Sequence, residues 1–274
     1  MARIIAITNQ KGGVGKTTTA VNLAASLAAG RASNQVLLVD LDPQGNATMG
    51  CGIDKHGVRA TSYDVLLNEV DISEALQYSE TAQMQILPAN GDLTGAEVAL
   101  LDVESGQARL RSSLQRIAAN FDFILIDCPP SLNMLTVNAL TAAQGVIIPV
   151  QCEYYALEGL SALLQTIDKV RRSTNPELRI EGMLRTMYDS RNRLAEEVSS
   201  QIETHFGKEV YATIIPRNVR LAEAPSYGQP IIVYDPSSRG SETYRNLAKE
   251  VRQRARQQST STSVLDTAAA ERRL

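Results

Sequence analysis

Asn9-Gln10-Lys11-Gly12-Gly13-Val14-Gly15-Lys16-Thr17-Thr18 follows directly on the apolar run Ile4 to Thr8 and opens a helix-forming stretch from Thr17 to Ala29. Strand, glycine-rich turn and helix, in that order, form the context that a phosphate cradle requires. Glycines let backbone N–H groups turn toward phosphate oxygens with no Cβ in the way. The N-terminus of the following helix adds partial positive charge. In such a cradle Gly12, Gly13, Val14, Gly15 and Thr18 surround the phosphates, Lys16 reaches the β- and γ-phosphates, and the Thr17 hydroxyl ligates Mg²⁺. The usual pattern, G-x-x-x-x-G-K-[ST], has glycine where this chain has Gln10, and here a second lysine, Lys11, stands inside the loop.

Outward from the loop, short apolar runs alternate with longer helical stretches. The runs are Ile4 to Thr8, Val36 to Val39, Ile86 to Pro88, Phe123 to Ile126, Val146 to Val150, Ile180 to Leu184 and Thr213 to Ile215. They are continuously apolar, as strands buried on both faces should be. Thr17 to Ala29, Gly106 to Ala119 and Leu194 to Phe206 read as helices. Such repetition predicts right-handed crossovers and an α/β fold: one P-loop NTPase domain whose mostly parallel sheet carries helices on both faces. No internal repeat or proline-rich linker divides the chain. The predicted domain spans 1–257, and 258–274, rich in Ser, Thr and Ala, is expected to be a disordered tail.

Two further runs end in acids. Val36-Leu37-Leu38-Val39 leads into Asp40-Leu41-Asp42-Pro43-Gln44-Gly45-Asn46, and a second run closes on Asp127-Cys128-Pro129-Pro130. Carboxylates two residues apart on extended backbone point to one side. At the carboxyl edge of a parallel sheet they face the crevice in which ligands bind. A lone aspartate after a strand is usually only a helix cap. Beside a phosphate loop, Asp40 and Asp127 become candidates for the metal shell, held directly or through water.

Composition narrows the class. Hydrophobic residues make up 43% of the 274, enough for a sizeable core, so wholesale disorder is excluded. No run approaches the length of a membrane-spanning helix, and the apolar start is too short for a signal peptide. Three scattered cysteines argue for a reducing compartment. A formal net charge of −3 excludes a protein basic overall, so any nucleic-acid contact must come from local patches. The clusters are Arg185/Arg191/Arg193, Arg217/Arg220 and Arg245/Lys249/Arg252/Arg254/Arg256. Arg245, Lys249, Arg252 and Arg256 recur at helical spacing and share one face.

The loop with its extra lysine, Asp40 to Asn46, Asp127-Cys-Pro-Pro-Ser131, Gln151 to Gly159 and Ile215 to Pro225 together resemble the chromosomal ParA/Soj partition ATPases, nearly to Arg256. The resemblance implies an ATP- and Mg²⁺-dependent hydrolase that forms a sandwich homodimer, with Lys11 crossing to the partner's phosphates as an arginine finger would. It makes Lys11, Lys16 and Asp42 the catalytic set, with Asp42 positioning the attacking water, and it assigns adenine contacts to Pro216 and Asn218. It further implies non-specific binding of double-stranded DNA through Arg191, Arg217, Arg220, Lys249 and Arg252, a ParB-type partner that stimulates hydrolysis, and a cytoplasmic, nucleoid-associated protein. Extra residues around Ala29 to Asn34 depart from the family pattern and touch nothing chemical.

Competing readings are a MinD-like division-site ATPase, a nucleotide-switched DNA-binding regulator and a cluster-carrying redox protein. The tail has only Val264, Leu265 and Leu274 as large apolar residues, too few for membrane attachment. Cys128 lacks the cysteine partners of an iron–sulfur site and reads as a core thiol. His56 and His205 have no ligand-spaced partner. Tyr154-Tyr155 reads as packing.

Overall fold

The computed structural model describes residues 2–29, 34–153 and 158–271; side chains are described for all of these except 158, 159 and 258–271. Most of the departure around Ala29 to Asn34 (30–33) and the Tyr154-Tyr155 pair lie outside the described residues. The strands are β1 (Arg3–Ile7), β2 (Val36–Asp40), β3 (Gln77–Ser79), β4 (Met84–Leu87), β5 (Phe123–Asp127), β6 (Gly145–Gln151) and β7 (Arg179–Thr186). The helices are α1 (Lys16–Ala28), α2 (Asn46–Gly50), α3 (Ser62–Leu66), α4 (Ile72–Ala75), α5 (Leu93–Ala99) and α6 (Arg109–Ile117). They continue with α7 (Met134–Ala142), α8 (Glu158–Ser173), α9 (Arg193–Phe206), α10 (Val219–Glu223), α11 (Ile231–Tyr234) and α12 (Arg239–Glu271).

The strands form one sheet in the order β3-β4-β2-β5-β1-β6-β7, parallel throughout except for β3 against β4. Alternate residues of each apolar run feed opposite cores. Ile4, Ala6, Leu37 and Val39 pack with Leu110, Leu114, Leu135 and Leu163 on one face. Ile5, Ile7, Val36 and Leu38 pack with Leu23, Leu27, Leu247 and Val251 on the other. Covered on both sides, a strand has no face left for polar residues, which is why these runs do not alternate. The predicted α/β architecture is the one observed.

Three details differ from the sequence expectation. The edge strand β3 (Gln-Tyr-Ser) carries no apolar run and went unread. Thr213 to Ile215 is not a strand, because the Glu250 carboxylate accepts the N–H groups of Ala212 (2.9 Å) and Thr213 (3.0 Å) and removes them from ladder pairing. The segment still runs along β7, with Ile215 N–H donating to the Arg185 carbonyl. Helix α12 continues through Glu271, past residue 257, where the composition change set the end of the domain.

Sheet order positions the chemistry. Strand β1, which delivers the glycine loop, lies beside β5, and β5 lies beside β2. Their carboxyl ends are level: Ile7 and Asp40 are both register partners of Asp127. The loop, the Asp40–Asp42 turn and Asp127 therefore open onto one edge.

Candidate active site

The loop between β1 and α1 is held by its own strands. Gly13 (φ 74°) and Gly15 (φ 86°) take the left-handed backbone that L side chains rarely adopt, which is why glycine is needed there. Asn9 anchors the loop's start by donating its side-chain amide to the Pro149 carbonyl (2.8 Å), while its side-chain oxygen Oδ1 accepts from Lys11 N–H (3.0 Å). From β7, the Thr186 hydroxyl donates to the Val14 carbonyl (2.8 Å). Gly15 caps α1 with no side-chain hydrogen bond, so the first N–H groups of the helix stay open to an anion.

Lys16, only 7% exposed, donates to the Lys11 carbonyl at 3.0 Å across the loop. Burial lowers its pKa, and Asp127, Cys128 and Asp42 pull in the other direction. Lys11 points elsewhere. Its ammonium pairs with Glu153, just past β6, at 3.2 Å on the open rim of the site.

The acids divide into two kinds. Asp40 is fully buried and satisfied by its own turn: one oxygen accepts Asp42 N–H (3.1 Å), the other Thr48 N–H (2.8 Å) and the Thr48 hydroxyl (2.7 Å). Its pKa is nevertheless pushed up to about 6, chiefly by burial. Asp127 is equally buried, yet neither carboxylate oxygen has a hydrogen-bond partner. Burial and then the neighbouring Asp40 charge raise it well above the usual carboxylate range; the nearby Thr17 hydroxyl eases this without closing a hydrogen bond. Two orphaned buried oxygens beside a hydroxyl and a lysine suit a hard dication with an oxygen shell, as Mg²⁺ is. Of the expected metal residues, Thr17 and Asp127 are so placed, whereas Asp40 braces the turn. Among the described residues no cluster of three or more His, Cys, Asp or Glu could hold a metal by itself.

Asp42 is 7% exposed, and one of its oxygens accepts Gln44 N–H at 2.9 Å, a geometry that fixes the carboxylate at the start of the turn. Adjoining the loop is a cavity of about 340 Å³ lined by Gly15, Thr18, Met187, Pro216, Asn218 and Tyr244. Pro216 and Asn218, the expected adenine contacts, line this cavity together with Gly15 and Thr18 of the loop. Asn218 caps α10 by accepting Leu221 N–H (3.3 Å).

The basic candidates separate by environment. Arg191, Arg217 and Arg220 are exposed, and Arg217 N–H donates to the Tyr188 carbonyl (3.1 Å), which brings the 188–192 and 216–220 segments together. Arg191 is paired with Asp189 (2.8 Å), and Arg220 with Glu223 (2.9 Å). Lys249 is exposed beside Asn246. Arg252 instead turns inward and donates to the Leu27 carbonyl (2.7 Å) at the C-terminal end of α1. Arg185, grouped with Arg191 by sequence, is 4% exposed and spends its guanidinium on Ser199, Glu203 and the Tyr211 carbonyl. Sequence reasoning missed Asn9, Glu153 and Thr186, whose contacts depend on strands far along the chain.

Cys51, Cys128 and Cys152 are buried free thiols. No helix among the described residues is long and apolar enough to cross a membrane.

A family model described as an AAA domain matches residues 2–180. The chain is 54% identical to the sporulation initiation inhibitor protein Soj of Bacillus subtilis, over 92% of this chain and 98% of that one. It is likewise 54% identical to the chromosome partitioning protein ParA of Myxococcus xanthus, over 93% and 89%. Among solved structures it is similar to cobyrinic acid a,c-diamide synthase of Mycobacterium smegmatis with bound ATP analogue and magnesium (TM-score 0.80, 39% identity, 91% and 93% covered). With its phosphate loop, acidic strand ends and sheet order, the chain belongs to the ParA/Soj family of chromosome-partitioning P-loop ATPases.

Proposed function

We propose that this ATPase binds ATP with Mg²⁺, pairs with a second copy through the bound nucleotide, and in that form holds DNA without sequence preference until a ParB-type partner stimulates hydrolysis. The observation that carries the chemistry is the meeting of Lys16, Thr17, Asp42 and Asp127 at one sheet edge. Lys16 balances charge on the β- and γ-phosphates, and the α1 N–H groups cradle them. Thr17 and Asp127 would hold Mg²⁺, which supplies neutralisation of charge developing on the transferring phosphoryl group. Asp42, fixed by Gln44 N–H, orients the water for in-line attack.

Lys11 supports the pairing. Its ammonium sits on the open rim, bound to the still more exposed Glu153, and is the loop cation not committed to its own chain's cradle. Exchange of that carboxylate for a facing subunit's phosphates would supply charge in trans. The DNA surface is assigned to Arg191, Arg217 and Arg220, with Lys249 peripheral; two copies double this local patch, so contact with DNA does not depend on the sign of the net charge. Each phosphate contacted releases counterions, so binding weakens steeply with salt.

The test compares DNA binding by the apo, ADP and ATP forms at two salt concentrations. Binding confined to the ATP form and lost at the higher salt is expected. Equal binding by all three forms overturns the reading.

A further inference from the structure

Between β2 and α2 the chain must turn within five residues, Leu41 to Gly45, and that turn carries Asp42. Three contacts inside the turn are local: Asp42 N–H to Asp40, Gln44 N–H to the Asp42 carboxylate, and Gly45 N–H to the Asp42 carbonyl (2.8 Å). A fourth comes from outside. The Lys55 ammonium donates to the Gln44 carbonyl at 2.7 Å. The peptide unit joining Gln44 to Gly45 is therefore fixed at both ends, its N–H by Asp42 and its C=O by Lys55. Rotation of that unit would break the Gly45 N–H bond to the Asp42 carbonyl, the bond that closes the turn on which the Asp42 carboxylate and its Gln44 N–H contact are built.

The lysine's stem also touches the turn. A Cβ at Gly45 (φ 62°) would lie 2.9 Å from Lys55 Cδ and 2.6 Å from the Ala89 carbonyl oxygen, so the turn is wedged between the two. Lys55 is itself presented by a closed turn, with Gly57 N–H donating to the Asp54 carbonyl and His56 N–H to the Asp54 carboxylate. No carboxylate forms an ion pair with Lys55 among the described residues, so this half-buried cation spends its charge on one backbone carbonyl. A charge-assisted bond to a carbonyl is stronger than a neutral one.

We infer that Lys55 is a positioning residue for hydrolysis, holding the Gln44 peptide so that the Asp42 carboxylate stays aimed at the attacking water. The inference rests on the reading that Asp42 orients that water. Displacement of a positioned group by about 1 Å can cost about 100-fold in rate. Lys55 stands apart from the phosphate loop and the base cavity, so its loss touches turnover and not nucleotide capture.

The experiment measures kcat, KM and the affinity for a non-hydrolysable ATP analogue in full-length Lys55→Met, Lys55→Arg and Asp42→Ala proteins. Lys55→Met keeps the stem and removes the donor; the expected result is a fall in kcat on the order of 10-fold, with KM and analogue affinity within about twofold of the parent. Lys55→Arg, which can still donate to the Gln44 carbonyl, recovers most of that loss. Normal kcat in Lys55→Met, a parallel loss of kcat and analogue affinity, or no recovery with arginine overturns the inference. Normal turnover in Asp42→Ala instead overturns the assignment of Asp42 beneath it, and the two failures are read from different proteins.

Discussion

Asp40 and Asp127 are register partners at the carboxyl ends of two neighbouring parallel strands, both wholly buried, one fully hydrogen-bonded and the other with two bare oxygens. Two buried acids side by side repel when both are ionised, and the pair titrates as a unit. The pH behaviour of the metal-free protein follows from that juxtaposition. The folded state holds a proton that the unfolded chain releases near 3.8: Asp40 gives it up only at about 6, and Asp127 is likewise raised well above the usual carboxylate range. The folded state thus binds more protons across this window, so stability falls as pH rises through it. In EDTA the Tm should drop by several degrees between pH 4.5 and 7, and Mg²⁺ with nucleotide should remove the slope. A flat or rising Tm in EDTA would show that the pair is not protonated in the fold.

Lys16 and Asp42 should separate binding from turnover. Lys16→Ala removes the buried cation of the cradle and is expected to abolish nucleotide binding in calorimetry. Asp42→Ala should retain ATP and pairing while hydrolysis stops in a phosphate-release assay; retained hydrolysis contradicts the role given to Asp42.

Lys11 and Glu153 compete with the facing subunit in the proposed pairing. A partly exposed ion pair is worth about 0–1 kcal/mol, so Glu153→Gln should tighten ATP-dependent dimerisation by no more than about fivefold. Lys11→Ala should lose both the dimer and turnover. Sedimentation velocity with ATP measures each.

Arg191 is tied to Asp189, whose carboxyl is held down to about 2 chiefly by hydrogen bonds from Arg191. Arg191→Ala should lose DNA while dimerisation persists. Asp189→Asn releases the guanidinium and should strengthen DNA binding, most visibly at low salt. Fluorescence anisotropy on a short duplex checks both; an unchanged Asp189→Asn protein removes Arg191 from the DNA surface.

Arg252 serves the fold. Its bond to the last turn of α1 complements that helix's negative end. Arg252→Ala should cost about 1–2 kcal/mol of stability and leave DNA affinity within twofold, whereas Lys249→Ala should do the reverse. Denaturant melts beside the DNA titration decide between them.

The glycine loop, the buried strands and the acids at their tips were legible because each is a local pattern: a spacing, a run, a residue at the run's end. Hidden from the sequence were features set by what lies opposite in space. Thr213 to Ile215 looks like a strand until Glu250, 37 residues beyond Thr213, takes its amides. Arg185 and Arg252 look like surface charge until their partners on other elements turn them inward. The edge strand β3 has three residues of mixed polarity and offers no period to read.

The anchoring of the glycine loop to Pro149 at one end and through Val14 to Thr186 at the other has a kinetic corollary. A cradle already clamped by its neighbours has no ordering step to complete when triphosphate arrives. Capture should then proceed in one phase at a rate linear in ligand concentration, limited by encounter. Slow steps in the cycle would lie elsewhere, in the meeting of subunits and in the cleavage that parts them.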